Sequence, residues 1–521
     1  MWILNYMTMK INKYIIMALA SMSLASCNDW LDVEPSTEVD KGQMFKNEDG
    51  YADAMAGVYV NLTSNNLYGK NMTWYGVELM GGGATCMFGN NASYMGFYFH
   101  PDCDYFMESM RNELCDNIWN EGYNTIANIN ALLSDIDADQ GVFTGNDYSI
   151  FKGEALGLRA FMHFDLLRLF GEAGTVNPDA KAIPYVSTLT SEVYPMLTVK
   201  QCANAIIEDL KAAKELLKVD PMVTGAAASK YVCSQPTGSA TYRTRYNIYD
   251  WHNRRFHFNY YAAVATMARV YLWMGDKQNA LACAKEIIDA QAEKFPWVAP
   301  ELVSNVASTS QYVSRDRTFS TEQIFALNIT NLPDRMDGIM IEGENAFQGA
   351  NGNLMGINID CFDESSRSMD PRYAYLNTTY SYYGTEFKIS TKYYKDNDYN
   401  NSYSPWSANR LPMIRVSEMY YIAAECEPNL ETAIGYIEAV RQNRGLSAFP
   451  LTCSSKEDLQ HEIEMEYRKE FIAEGQMFYY KKRLNETIVN KTAYQDYTIE
   501  PNLFTMPVPD DEFTYGGREK N

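Results

Sequence analysis

Positive charge and histidine are both scarce in this chain of 521 residues. Lys and Arg number 44 against 66 Asp and Glu, so the formal net charge is −22. Such an excess of negative charge repels phosphate backbones, which argues against nucleic acid as a partner. The five His include no His-Glu-x-x-His arrangement and no Cys/His spacing typical of a zinc site. His163 lies within a strongly apolar helical pattern, so we expect it to be a core residue.

Motifs for cofactor binding and for catalysis are missing as well. Gly81-Gly82-Gly83 is not followed by the Gly-Lys-Ser/Thr of a phosphate loop. Asp396, Asp398 and Asn400 have a spacing that could hold a structural calcium ion, but the Gly and the closing Glu of an EF-hand are absent. A solvated loop is therefore favoured there. Acidic residues are abundant, yet nothing selects a facing pair for glycoside hydrolysis. We predict no catalytic residues and no cofactor, with calcium left open.

The chain has ten Cys but no Cys-x-x-Cys motif. Cys86, Cys103 and Cys115 form the only loose group. They could form a disulfide in an oxidising compartment, but no pairing follows from the sequence.

Beyond the N-terminus, no stretch is apolar enough to span a membrane. At the N-terminus, Lys10 and Lys13 precede the apolar run Ile15–Ala25, and Leu24-Ala25-Ser26-Cys27 places small residues before a cysteine. This order is typical of a signal peptide that ends in a lipobox. The run is too short to be a transmembrane helix, which needs about 20 residues. We predict removal of residues 1–26, export, and lipid attachment at Cys27.

Apolar residues recur at helical spacing through most of the chain. In Tyr148–Phe170 they step by three and four positions, and aromatic residues widen this face, so we predict a helix buried on two sides. Other helices fall into pairs of a length typical of tetratricopeptide-like units. The predicted pairs lie near residues 50–137, 148–219, 258–290 and 417–445, with a C-terminal helix near 457–474.

An irregular insert of about residues 295–411 interrupts these pairs, and Thr321–Ile329 within it has the composition of a strand. The predicted fold class is therefore mainly α. We expect four tetratricopeptide-like helix pairs as a scaffold and a loop-rich region with short strands, in one domain of residues 27–521.

Short motifs follow one another along nearly the whole chain. The predicted mature start reads Cys27-Asn28-Asp29-Trp30-Leu31-Asp32, and the central helix carries Glu154-Ala155-Leu156-Gly157-Leu158-Arg159-Ala160-Phe161. Later motifs are Arg415–Glu425, Arg441–Gly445, and Glu466–Phe471 with Glu474-Gly475. Together and in this order, they resemble the SusD/RagB family of outer-membrane nutrient-binding lipoproteins of Bacteroidetes. Met477, Phe478 and Tyr479 depart from the Arg, aromatic and Asp that the family often has after Glu-Gly.

The resemblance implies a SusD-like fold and a protein without enzymatic activity. It implies a lipid-anchored protein, exposed at the cell surface, that binds an oligosaccharide or glycan. Such proteins deliver the ligand to a SusC-like TonB-dependent transporter in the outer membrane. Two alternatives stay open: a helical-repeat adaptor of an uptake complex without its own sugar site, and a binder of peptide or another nutrient.

Aromatic residues in loops are the candidates for ligand contact, because sugar rings stack on aromatic faces while Asn, Asp and Arg pair with hydroxyls. For any single residue, the alternative role of anchoring a loop on the helices is favoured. Trp74 and Tyr75 match a family ligand region by position. Asn345, Phe347, Gln348 and Asn351 lie in a Gly/Asn-rich loop of the insert. The predicted ligand-binding residues are Trp74, Tyr75, Tyr94, Trp297, Asn345 and Phe347.

Overall fold

The computed structural model describes residues 44–86, 109–225, 254–304, 316–336, 355–382, 385–393, 409–491 and 496–518. The predicted signal peptide and Cys27 lie outside these residues, so lipid attachment stays a prediction.

The long helices pack in the predicted pairs. Helix α1 (Glu48–Leu62) packs on α2 (Asn117–Asp135), α3 (Asp147–Phe170) on α4 (Val199–Leu216), α5 (Tyr260–Trp273) on α6 (Lys277–Lys294), and α7 (Val416–Cys426) on α8 (Leu430–Gln442). Neighbouring pairs also touch, because α2 packs on α3, α4 on α5, and α6 on α7. Helix α9 (Lys456–Glu470) then packs on α7 and leads to α10 (Gln476–Leu484). The mainly α fold class is confirmed.

Short elements fill the connections. A π-helical segment, Ser109–Asp116, leads into α2. Short helices lie at Gly76–Met80, Pro221–Thr224, Pro300–Ser304, Leu332–Met336, Pro371–Ala374 and Asp510–Thr514.

The turn between α5 and α6 shows how local sequence defines the pairs. Gly275 has a φ of +77°, a left-handed conformation that favours glycine, and it ends the first helix. Asp276 then caps the second, because its side chain accepts a hydrogen bond of 3.1 Å from the backbone N–H of Asn279. Asn429 caps α8 in the same way.

The strands form two-stranded antiparallel ladders. The pairs are β1 (Ala84–Cys86) with β5 (Met355–Ile357), β2 (Lys181–Pro184) with β3 (Met196–Thr198), β4 (Gln323–Asn328) with β8 (Arg410–Arg415), β6 (Asn377–Tyr382) with β7 (Thr385–Ser390), and β9 (Ile488–Lys491) with β10 (Asp496–Ile499). Strand β4 confirms the strand predicted at Thr321–Ile329.

Helix α3 lies at the centre of the core and is buried along most of its length, as predicted. Gly157 permits a close approach, since an added Cβ there would lie 2.2 Å from Cε1 of Phe258. His163 is confirmed as a core residue. Its Nδ1 lies 2.8 Å from the backbone oxygen of Arg159, and its Nε2 accepts from the N–H of Val186 at 3.0 Å. Burial lowers the pKa of His163 to about 3, so the ring stays neutral.

Within the described ranges, no helix combines the length and the apolar character that crossing a bilayer requires.

Candidate functional site

Two buried glutamates of α9 organise the part of the molecule that supports the candidate site. Glu466 and Glu470 are at most 1% exposed. Arg372 Nη1 donates to both, at 2.9 Å to each carboxylate. Arg441 Nη1 donates to Glu466 at 3.0 Å, and Arg444 Nη2 donates to Glu470 at 2.7 Å. We call this group, with Arg415, Glu322 and Glu474, the arginine–glutamate cluster.

The cluster joins elements that are distant in sequence. Arg415 ends β8 and contacts Glu470, while Arg444 follows α8 and also donates to Glu322, which precedes β4, at 2.6 Å. Arg372 brings in the segment Pro371–Ala374 of the insert. The motifs around Arg415, Arg444 and Glu466 therefore hold the last helix pair against the insert, and they form a structural centre.

The guanidinium groups determine the protonation of these carboxylates. Burial alone would raise the pKa of Glu466, but Arg372, Lys469 and Arg441 outweigh burial and hold it at about 2. The pKa of Glu470 is likewise held well below its usual range, by Arg444, Arg415 and Arg372 against the opposing effect of burial. Both carboxylates are ionised at neutral pH, so neither can serve as a general acid there.

The loop after α9 connects the cluster to the region of Trp74 and Tyr75. Glu474 accepts from Arg415 Nη2 at 2.9 Å and pairs with Lys392. On either side of it, the backbone N–H groups of Ala473 and Gly475 donate to Glu78, each at 2.8 Å. Ala473 and Gly475 have φ of +60° and +70°, and Glu78 holds this strained turn in place.

Trp74 lies in this region but is fully buried. Its Nε1 donates to the backbone oxygen of Gly69 at 2.9 Å, and its ring packs edge-on against Tyr75 at 5.9 Å between centroids. No face of the ring is available for a sugar, so the prediction of Trp74 as a ligand-stacking residue is wrong. Its position after the first helix indicated a ligand loop, but the indole instead anchors that loop to the core.

Tyr75 is half-buried at the same surface. The ammonium group of Lys70 lies 4.1 Å from the ring centroid, within the range of a cation–π interaction. One face of the ring is therefore occupied by Lys70. A contact between Tyr75 and ligand stays a prediction.

Trp297 lies in the connection after α6 and is half-buried. Its ring packs against Tyr420 at 5.3 Å between centroids, and the guanidinium of Arg444 lies 5.5 Å from its centroid. These contacts anchor the start of the insert on α7 and the arginine–glutamate cluster. A role in ligand binding stays a prediction.

Tyr94, Asn345 and Phe347 lie outside the described residues, but the ladder that anchors their segments is described. Cys86, the last residue of β1, pairs with Met355, the first residue of β5. Residues 87–108, which include Tyr94, and residues 337–354, which include Asn345 and Phe347, are therefore attached to the same end of one ladder. The sequence pattern contained no signal for this pairing, because β1 and β5 are three residues each and far apart in the chain.

The remaining predicted features are only partly described. Cys115 is buried, and Cys103 lies outside the described residues, as do Asp396, Asp398 and Asn400. Among the residues that the structure describes, no group of three or more His, Cys, Asp or Glu side chains could hold a metal ion. Calcium binding and the disulfide therefore stay open.

The fold and this site define a class: an α-helical repeat scaffold with an irregular insert, joined to it by a buried ionic cluster and by the β1–β5 ladder. Comparison with known proteins identifies the family. A family model described as "Starch-binding associating with outer membrane" matches residues 29–249, and the SusD family model matches residues 297–509. The chain belongs to the SusD/RagB family.

Relatives of known structure agree with the fold. A SusD superfamily protein of Bacteroides vulgatus has a TM-score of 0.65 at 21% identity, covering 91% of this chain and 98% of that one. A SusD superfamily protein of Bacteroides thetaiotaomicron gives 0.65 at 19% identity, covering 90% and 98%. A SusD-like carbohydrate binding protein of Bacteroides vulgatus gives 0.61 at 17% identity, covering 90% and 96%.

A curated relative, a SusD-like protein of Formosa agariphila, is 23% identical over 172 residues. That match spans 32% of this chain and about a third of the relative's length, 31%.

Proposed function

We propose that this protein is a non-catalytic, lipid-anchored surface protein that binds a glycan and passes it to a SusC-like TonB-dependent transporter. The family model's description of starch-binding proteins associated with the outer membrane supports this proposal. The main structural support for the proposal is the pairing of Cys86 with Met355. This pairing attaches the segments of Tyr94 and Phe347 to one place on the scaffold.

The proposed ligand contacts are Tyr94 and Phe347 as stacking surfaces and Asn345 as a hydrogen-bonding partner. Tyr75 lies on the chain that leads into β1 and is a further candidate at the base of the site. Aromatic faces bind the C–H faces of sugars and the amide binds hydroxyls, so this combination suits a neutral oligosaccharide. The strongly acidic composition also favours an uncharged ligand.

The binding proposal is tested by screening the purified protein on a glycan array and measuring the best ligand by calorimetry. We expect Tyr94→Ala and Phe347→Ala each to weaken binding by about 2- to 10-fold, as expected for one aromatic contact of about 0.5–1.5 kcal/mol. Tyr515→Ala is the matched control, because Tyr515 is 81% exposed on the short helix region near the C-terminus. Wild-type affinity in both loop variants would contradict the assignment.

Chromatography of the glycan after incubation tests the absence of catalysis, since shortened products would overturn it. Membrane fractionation of Cys27→Ala tests the anchor, and we expect this variant to leave the membrane fraction. Co-purification with a TonB-dependent transporter tests the partner. If the transporter co-purifies but no glycan or peptide binds, the adaptor role replaces the binding role.

A further inference from the structure

Arg335 ties the insert to the loop that follows α1. It lies in the short helix Leu332–Met336, whose two end residues are buried. Its Nη1 donates to the backbone oxygen of Thr63 at 2.7 Å and to Oδ1 of Asn65 at 3.3 Å. Thr63 directly follows α1, so the guanidinium lies at the C-terminal end of that helix, where the helix dipole favours a positive charge.

This contact lies between two parts of the proposed glycan site. Residues 337–354, which include Phe347, begin just after Arg335, and β5 holds their other end on the scaffold. Asn65 belongs to the loop that runs on to the half-buried ring of Tyr75. The hydrogen bonds of Arg335 therefore attach the start of one ligand segment to the loop that carries another candidate contact.

Most of the guanidinium is not engaged by the protein. Arg335 is half-buried, and its Nε and Nη2 make no hydrogen bond to any residue that the structure describes. Burial lowers the pKa of Arg335 from its usual value, and no acidic neighbour offsets this effect. The carboxamide of Asn65 is exposed, and its Nδ2 makes no hydrogen bond within the described ranges either. Donors from two side chains are thus available side by side.

We infer that Arg335 and Asn65 form a further part of the glycan site and bind two adjacent hydroxyls of a neutral sugar. This inference rests on the proposed glycan-binding function. A guanidinium presents its N–H donors in a planar fork, which suits two neighbouring oxygens. A carboxylate offers such a pair too, but the net charge of −22 repels anionic ligands and favours hydroxyls.

Calorimetry with the best ligand from the glycan array tests the assignment. Arg335→Lys keeps the charge but loses the fork, so we expect it to weaken binding about 10-fold, as expected for hydrogen bonds from a charged donor. Asn65→Ala should weaken binding about 2- to 10-fold, as for a neutral donor. Arg468→Lys is the matched control, because Arg468 in α9 is also half-buried and its side chain makes no hydrogen bond to a described residue.

Monodeoxy analogues of the same ligand separate ligand contact from a structural role. Removing a hydroxyl that Arg335 binds should weaken binding to the wild type but have little further effect in Arg335→Lys. If every analogue loses the same factor in both proteins, Arg335 only holds the loop in place and the inference is wrong. A uronic acid analogue that binds more tightly, with the gain lost in Arg335→Lys, would overturn the hydroxyl assignment in favour of a carboxylate.

The glycan-binding function and this inference fail in different ways. No binding of any glycan by the wild type would overturn both. Wild-type binding that Arg335→Lys and Asn65→Ala retain at full affinity would overturn this inference alone. Should Arg335→Lys fold poorly, Asn65→Ala still tests the site, because Asn65 is exposed and its substitution leaves the bond from Arg335 to Thr63 in place.

Discussion

Glu470 and Glu78 are both 1% exposed, and the protein holds the two carboxylates by different means. Glu470 receives guanidinium groups from Arg372, Arg415 and Arg444, which come from three separate parts of the chain. Glu78 receives two backbone N–H groups from one short turn. The pKa of Glu470 is held well below its usual range by those arginines, although burial opposes them. Burial instead raises the pKa of Glu78 to about 7.

The difference shows that burial alone does not determine the charge of a carboxylate. Three guanidinium groups together outweigh desolvation at Glu470. At Glu78, two backbone N–H groups and the charge of Lys392, which is paired with Glu474, reduce the effect of burial only in part. The Glu470 region therefore ties distant elements together with ions that stay ionised. The Glu78 region holds one turn with a group that titrates near neutral pH.

The largest expected effect comes from removing the charge of Glu470. Glu470→Gln leaves three buried guanidinium groups without their shared counter-ion, so we expect a loss of about 3–5 kcal/mol in the free energy of unfolding. Urea denaturation measures it. Glu208→Gln is the control, since Glu208 forms an exposed pair with Lys211 in α4 at 2.9 Å and should cost at most about 1 kcal/mol. Equal losses in the two variants would contradict the structural role of the cluster.

Acid should destabilise the protein through its arginine-bound carboxylates. Glu466 and Glu154 are fully buried, and although burial opposes the shift, their cationic neighbours hold both pKa values at about 2. Because these folded pKa values lie below the unfolded one, their contribution is present above about pH 4.5 and is lost as the pH falls toward 2. We expect Tm to fall over that range. In Glu466→Gln, Tm should fall less steeply with decreasing pH than in the wild type. If Tm falls equally steeply in both, Glu466 does not contribute to the acid destabilisation.

Glu78 should give a smaller pH effect of the opposite sign. Its folded pKa of about 7 lies above the unfolded value, so the folded state binds more protons in between. Its contribution to stability is therefore greatest below about pH 4.5 and is lost as the pH rises through 7. The unfolding free energy of the wild type minus that of Glu78→Gln should fall as the pH rises from 4.5 to 8. If this difference is constant between pH 4.5 and pH 8, Glu78 does not have a raised pKa in the folded protein.

Helical periodicity predicted most of the scaffold because burial in a helix depends on local spacing. The pattern at Tyr148–Phe170 predicted α3 to within one residue, since its apolar face repeats with the helix. The arginine–glutamate cluster could not be predicted in this way, because Arg444 and Glu322 are 122 positions apart and only the fold brings them together. For the same reason, the sequence did not indicate that β1 pairs with β5, the ladder from which the segments containing Tyr94 and Phe347 extend.

Trp74 and Tyr75 show the limit of positional matching at the candidate site. Both are aromatic, adjacent and located after the first helix, yet one is fully buried and the other is half-buried. Composition does not distinguish a loop's anchor from its exposed contact, because either role suits a large ring.

The smallest expected effect concerns Tyr75, next to the Glu78 turn. Tyr75→Leu removes the interaction with Lys70, which is worth about 0.5–1 kcal/mol, and urea denaturation should show a loss of this size. The backbone bonds to Glu78 do not involve Tyr75, so the pH dependence assigned to Glu78 should be the same in this variant. If the slope between pH 4.5 and 8 also changes, Lys70 and Glu78 are electrostatically coupled, and the turn is held by more than two backbone N–H groups.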